Sequence, residues 1–206
     1  MTVVDRVKLS LSAELSGLSS SLNEAHLASA FFDSCVVSGN CSYNSAYHDY
    51  AHKAVPQFLD ELNALQKKTG WKTSWNDFDD NFRCRRAMGV PFPAAVTEEE
   101  TEIARYVVDA RWRSAYCTFP EEDMKQEWLK MVMGAYMGDL SVYLTRPFTI
   151  VAAHDASIAP LAAILFEYPQ SGFTCGQPNF ASFISIEVHD GKTVKVLFRD
   201  GDVGNG

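Results

Sequence analysis

An α/β fold carrying a helical subdomain is what the sequence predicts, on three observations. Capped amphipathic helices fill the middle of the chain, a continuous apolar run of strand length follows at residues 148–153, and two alternating strands flank an Asp-Gly turn near the end. With 206 residues, 47% of them hydrophobic and 21% charged, the chain can bury a sizeable core, and its 12 Gly and 8 Pro are ordinary usage. Low-complexity, collagen-like and coiled-coil readings are therefore excluded. The balance of 18 Lys and Arg against 26 Asp and Glu, a net of −8, opposes a nucleic-acid partner, which needs cations to displace counterions. No run of eighteen apolar residues predicts a transmembrane segment. Residues 1–11 mix charge and apolar character where a signal peptide would carry an apolar h-region.

In chain order, Leu15, Leu18 and Leu22 recur at helical spacing, with His26 on the next turn and a loop at Ser38-Gly39-Asn40. A second helix carries Val55, Phe58, Leu59, Leu62 and Leu65 on one stripe. Pro56 marks its first turn, and Lys67, Lys68 and Gly70 close it. The stretch with Trp71, Trp75, Phe78 and Phe82, running into Arg83-Cys84-Arg85-Arg86 and Pro91-Phe92-Pro93, is expected to be irregular structure packed under helices. Thr97-Glu98-Glu99-Glu100 forms a capping box ahead of Ile103, Tyr106, Val107 and Ala110 at helical period. Pro120 and the acids after it start another helix, with Leu129, Val132, Tyr136, Leu140 and Tyr143, which Pro147 stops. Met124, Met131, Met133 and Met137 on this helix fit core filling, lacking His or Cys companions for a metal. Residues 148–153, Phe-Thr-Ile-Val-Ala-Ala, are then expected to be a central strand covered on both faces. A short apolar helix from Ser157 to Leu165 follows. Ile184, Ile186 and Val188 alternate opposite Val194, Val196 and Phe198 around Asp190-Gly191, predicting a hairpin.

The five cysteines, Cys35, Cys41, Cys84, Cys117 and Cys175, lack CxxC spacing, and two bridges among them can form in 15 ways that the sequence leaves open. Asn40-Cys41-Ser42 is a glycosylation sequon. Three of the five histidines precede aspartate. His189-Asp190 is explained by turn chemistry. His48-Asp49, with His52 one turn on, has a spacing that a metal can use, but the zincin glutamate is missing; an aromatic-flanked helix start explains it equally. His154-Asp155 stands where the apolar strand meets a helix, the place where α/β sheets bind ligands and helix amides favour an anion. A plain helix cap beside a satisfied histidine remains the competing account.

At these residues the chain resembles the histidine acid phosphatase family, the acid phosphatase and phytase branch of the histidine phosphatase superfamily. The resemblance rests on Val151-Ala152-Ala153-His154-Asp155-Ala156-Ser157-Ile158, on Gln177-Pro178-Asn179-Phe180-Ala181-Ser182 with Ile186-Glu187, and on residues 194–199. Asn81-Phe82-Arg83-Cys84 and the Pro-rich approach to the Thr97 helix are similar to the family's cap. It implies a phosphoglycerate-mutase-like sheet with a helical cap, 41–146 being the cap region and 147–206 the C-terminal α/β part; residues 1–40, read as an N-terminal helical segment, lie outside the resemblance. The resemblance also implies hydrolysis of a small phosphomonoester through a phosphohistidine without a metal or other cofactor. His154 would donate a hydrogen bond to the phosphoryl group and so bind substrate, and Asp155 would be the general acid. Secreted or lysosomal residence is implied as well.

No histidine follows an arginine, so the family's Arg-His-Gly nucleophile has no counterpart here, and Ala156 stands where threonine is common. The chain corresponds to roughly the C-terminal half of the family. The nucleophile would come from a separate N-terminal half, and a homodimer would be another way to cover a half-sheet. Arg83, Arg85, Arg86, Arg111 and Arg113 are candidate phosphate ligands, although arginine runs are commonly solvated. Two other functions fit the same residues: a non-catalytic binding protein on a degenerate phosphatase fold, and a metal-dependent hydrolase using His48, His52 and a distant acid such as Asp139.

Overall fold

A computed structural model describes residues 57–93, 95–119, 122–166 and 173–201. The expected N-terminal helix, His48, His52, Cys35, Cys41, Val55, Pro56 and Pro120 lie outside them. Helices and strands are both present among the described residues: α1 (Leu59–Thr69), α2 (Trp75–Ala87), α3 (Glu98–Tyr116), α4 (Glu122–Tyr143), α5 (Asp155–Leu165), then β1 (Phe183–His189) and β2 (Thr193–Arg199).

Helix α1 ends as its sequence indicates, with Lys67 and Lys68 in the last turn and Gly70 at a left-handed φ of 75°. The aromatic stretch expected to be irregular is instead helix α2. Its start signal is a capping box: the Ser74 hydroxyl accepts from the Asp77 amide, and the Asp77 carboxylate accepts from the Ser74 amide at 3.2 Å. Trp75, Phe78 and Phe82 recur at i, i+3 and i+7, which is a helical stripe, and they pack with Leu65 of α1 and Ala104, Val107 and Val108 of α3 into the main core. Thr97 and Glu100 close the predicted capping box of α3. Tyr106, expected on the buried stripe, is exposed; the buried stripe runs through Thr101, Ala104, Val107 and Val108.

Helix α4 carries Met133 and Tyr136 against Leu161 of α5, a core role for that methionine. The expected hairpin forms, with Ile186 opposite Val196 and His189 opposite Thr193. Its turn is made by Asp190 and Gly191, both at positive φ, with the Lys192 amide donating to the His189 carbonyl at 3.1 Å. Residues 148–153 depart from expectation. They are not a strand: β1 pairs with β2 alone, and no backbone hydrogen bond joins 148–153 to any described residue. A strand is defined by its neighbour, and an apolar composition supplies none; Phe148 is 63% exposed as a result.

Among the described residues one bridge forms, Cys117–Cys175, joining the end of α3 to the segment before β1 over 58 residues; Cys84 is a free, exposed thiol. Phe166, Phe173 and Phe198 pack beside it. Cross-linking residues that far apart removes loop entropy from the unfolded chain worth about 4 kcal/mol. Cys117→Ala is therefore expected to lower the unfolding free energy by about that amount in guanidinium titration. A loss below about 1 kcal/mol would show that the bridge does not constrain the unfolded chain.

Candidate active site

Helix α5 opens at Asp155, and His154, in extended backbone, is its N-cap without a side-chain capping bond. The two residues are thus placed by the turn from the 148–153 segment into the helix. The His154 carbonyl accepts from the amides of Ser157 and Ile158, at 2.9 and 3.0 Å. Asp155 does not serve as the N-cap. Its Oδ1 accepts from the amide of Ala156 at 2.8 Å and its Oδ2 from Gln177 Nε2 at 2.7 Å, so each carboxylate oxygen has a donor. His154 Nδ1 lies 3.7 Å from Asp155 Oδ1, too far for a hydrogen bond, and finds no other partner although the ring is 40% exposed. Burial raises the Asp155 pKa, but His154, the Gln177 donor and the Ala156 amide outweigh it and hold the carboxyl down to about 2.

Gln177 reaches Asp155 because α3 holds the segment before β1. Arg105 donates to the Gln177 carbonyl at 2.7 Å, the Gln177 amide donates to Asp109 Oδ1 at 2.9 Å, and Arg113 donates to the Thr174 carbonyl at 3.2 Å. With Cys117, these residues stand one turn apart on a single face. Gly176 allows the approach, since a Cβ there would stand 2.6 Å from Asp109 Oδ1. From α2, Arg83 donates to the Pro178 carbonyl at 3.0 Å and lies over the Phe180 ring. Cys175 and Ala181 are both held at positive φ within this grip. Past Asn179, Asp200 accepts from its amide and its side chain and from the Ser182 hydroxyl, and Gly201 passes so near Phe180 that a Cβ would overlap the Phe180 carbonyl.

Four of the five candidate phosphate ligands are engaged elsewhere, and the fifth, Arg111, has its Nε buried without a partner. Arg83 is 4% exposed and turned to Pro178, and Arg113 holds Thr174. Arg85 binds Asn81 and the Pro91 carbonyl, and Arg86 binds Glu98 and Thr101. Arg111 is half-buried, which pushes its pKa down. Arg83 is close enough to Asp155 for its charge to be felt. A cavity of about 70 Å³ lies between α2, α3 and Asn179, lined in part by Asp79, Arg83, Arg86, Thr101 and Arg105; it does not include His154 or Asp155. Among the described residues no group of three His, Cys, Asp or Glu side chains is placed to hold a metal. His189 pairs with Glu187 at the exposed hairpin tip, apart from the site.

Sequence reasoning gave Gln177 no role beyond its place in the resemblance and did not single out Arg105 or Asp109. The alternation of charge at 105, 109 and 113 was the available signal, and it reads equally as a solvated helix face. No protein-family model, curated protein or solved structure matches the chain.

Two carboxyls here move in opposite directions. Burial raises Asp79, 2% exposed, to about 6, with Arg105 and Arg83 offsetting only part of it. The folded chain therefore binds a proton on Asp79 that the unfolded chain releases near the ordinary value of 3.8, so stability falls as pH rises between the two. Asp155, being depressed, adds stability above its ordinary value that is lost as pH falls toward about 2. Unfolding free energies across about pH 4 to pH 6 should decline by up to about 3 kcal/mol in the native chain and stay flatter in Asp79→Asn. An equal decline in both chains would assign the slope to another group.

Proposed function

We propose that this chain carries the acid half of a phosphomonoesterase site of the histidine acid phosphatase type, on a phosphoglycerate-mutase-like fold. The observation that supports it best is the junction itself: an apolar segment runs into His154-Asp155 at the first turn of an apolar helix, with Asp155 held at both oxygens. The His154 ring, 40% exposed at the helix start, stands where the positive end of the helix dipole favours a phosphoryl group. As the ester P–O bond breaks and its electron pair passes to oxygen, Asp155 gives that oxygen a proton. A carboxyl held near 2 has no proton to give at mild pH, so a phosphate dianion beside it must first raise its pKa. The attacking histidine, absent from these residues, comes from a separate N-terminal half whose strands would pair with 148–153. The Cys117–Cys175 bridge suits an oxidising, secretory compartment.

One observation favours a second reading, a non-catalytic binding protein on a degenerate phosphatase fold: no arginine precedes any of the five histidines, so the 206 residues hold no Arg-His-Gly nucleophile. The metal-hydrolase reading has no support from the described residues.

The first experiment is the intact mass of the protein isolated from its own source. A mass near twice 22.9 kDa supports the phosphatase, and 22.9 kDa supports the binding protein. In the complete protein, Asp155→Asn should slow hydrolysis of an alkyl phosphate by about 10²- to 10⁴-fold and of a nitrophenyl phosphate, whose leaving group needs little protonation, much less. Equal rates in variant and native protein on the alkyl ester would remove Asp155 as the acid.

A further inference from the structure

We propose that Gln177 is the positioning residue for Asp155, its one amide group serving both protonation states of the carboxyl from a mount on α3. The proposal rests on the reading of Asp155 as an acid that exchanges its proton. Gln177 is 7% exposed and held three times over: Arg105 on its carbonyl, Asp109 on its amide, and Asp155 Oδ2 on its Nε2. Its remaining polar atom, Oε1, is buried with no partner. Structural glutamines do not leave an acceptor bare at that depth, where a lost hydrogen bond is a full penalty.

The bare acceptor makes sense if the amide has two tasks. Toward the carboxylate, Nε2 donates, as observed. When Asp155 is protonated it becomes a donor, and half a turn about the last side-chain bond of Gln177 offers it Oε1 as acceptor. The donor count changes sign with the proton, and a carboxamide is the smallest side chain that matches both signs. Of the other neighbours of Asp155, the Ala156 amide only donates and Arg83 is turned to Pro178, while the titratable His154 ring stands 3.7 Å off, beyond hydrogen-bond reach. Among the groups hydrogen-bonded to the carboxyl, Gln177 is the one able to follow its titration.

The test is a carboxyl carbon NMR titration of Asp155 in the full chain, alongside the Gln177 side-chain NH₂ signals. In the native chain those NH₂ signals should shift with the Asp155 midpoint. In Gln177→Leu, similar in size and without a donor, the midpoint should move upward toward the ordinary carboxylate range. In Gln177→Glu it should rise further, by like-charge repulsion. A midpoint unmoved in Gln177→Leu overturns the proposal; should that variant not fold, native NH₂ signals that ignore the Asp155 midpoint overturn it equally. Inorganic phosphate separates this from the broader reading. If phosphate leaves Asp155 unmoved while Gln177 still follows the titration, the phosphatase reading fails and the positioning role stands.

Discussion

Arg105, Asp109, Arg113 and Cys117 stand one turn apart on α3, and between them they hold the irregular segment from Thr174 to Gln177. An irregular segment brings backbone donors and acceptors inward with no ladder to satisfy them. Here charged side chains do so, and the stronger charge-assisted bonds let the segment lie against the helix face. The location of Gln177, and through it of the Asp155 carboxyl, follows from that grip. The hairpin beyond the segment and α5 before it are positioned from the same face.

The grip is anchored deeper by Asp79 and Arg83, one turn apart on α2 and nearly solvent-free. Such a pair is poor stabilisation, because desolvation offsets most of the attraction, and the raised Asp79 pKa records that cost. Its geometric value is greater. Arg83 and Arg105 both share Asp79 and both reach the 177–179 segment, so the charged layer fixes how α2, α3 and that segment meet. The stacked aromatic residues of the main core, beside that pair on α2, bear the stability that the charged layer does not.

Much of the fold was legible because it is written locally. The Thr97 box, the Lys67-Lys68-Gly70 stop and the Asp190-Gly191 turn are chemistry within four residues, and each formed as expected. Helix α2 was missed because tryptophans and phenylalanines read as core filling before they read as a stripe, and its Ser74 cap uses aspartate in place of glutamate. The 148–153 run failed for the opposite reason. Whether an apolar run is a strand depends on what lies beside it, which no local pattern contains. The pair His154-Asp155 was legible as the start of a helix, though the strand expected before it did not form. Its support was not, because Gln177, Arg105 and Asp109 act across 22 to 72 positions of sequence.

Gly176 and Gly201 give tolerance to mutation a second meaning in this protein. Neither offers a functional group, yet at each a single methyl would collide with the groups that hold the site, Asp109 at one and the Phe180 carbonyl at the other. A scan of every substitution would mark these two glycines as severely as any residue of the site. Intolerance along the segment from Cys175 to Gly201 thus reports how closely the backbone is packed, and chemistry has to be recognised there by something other than sensitivity.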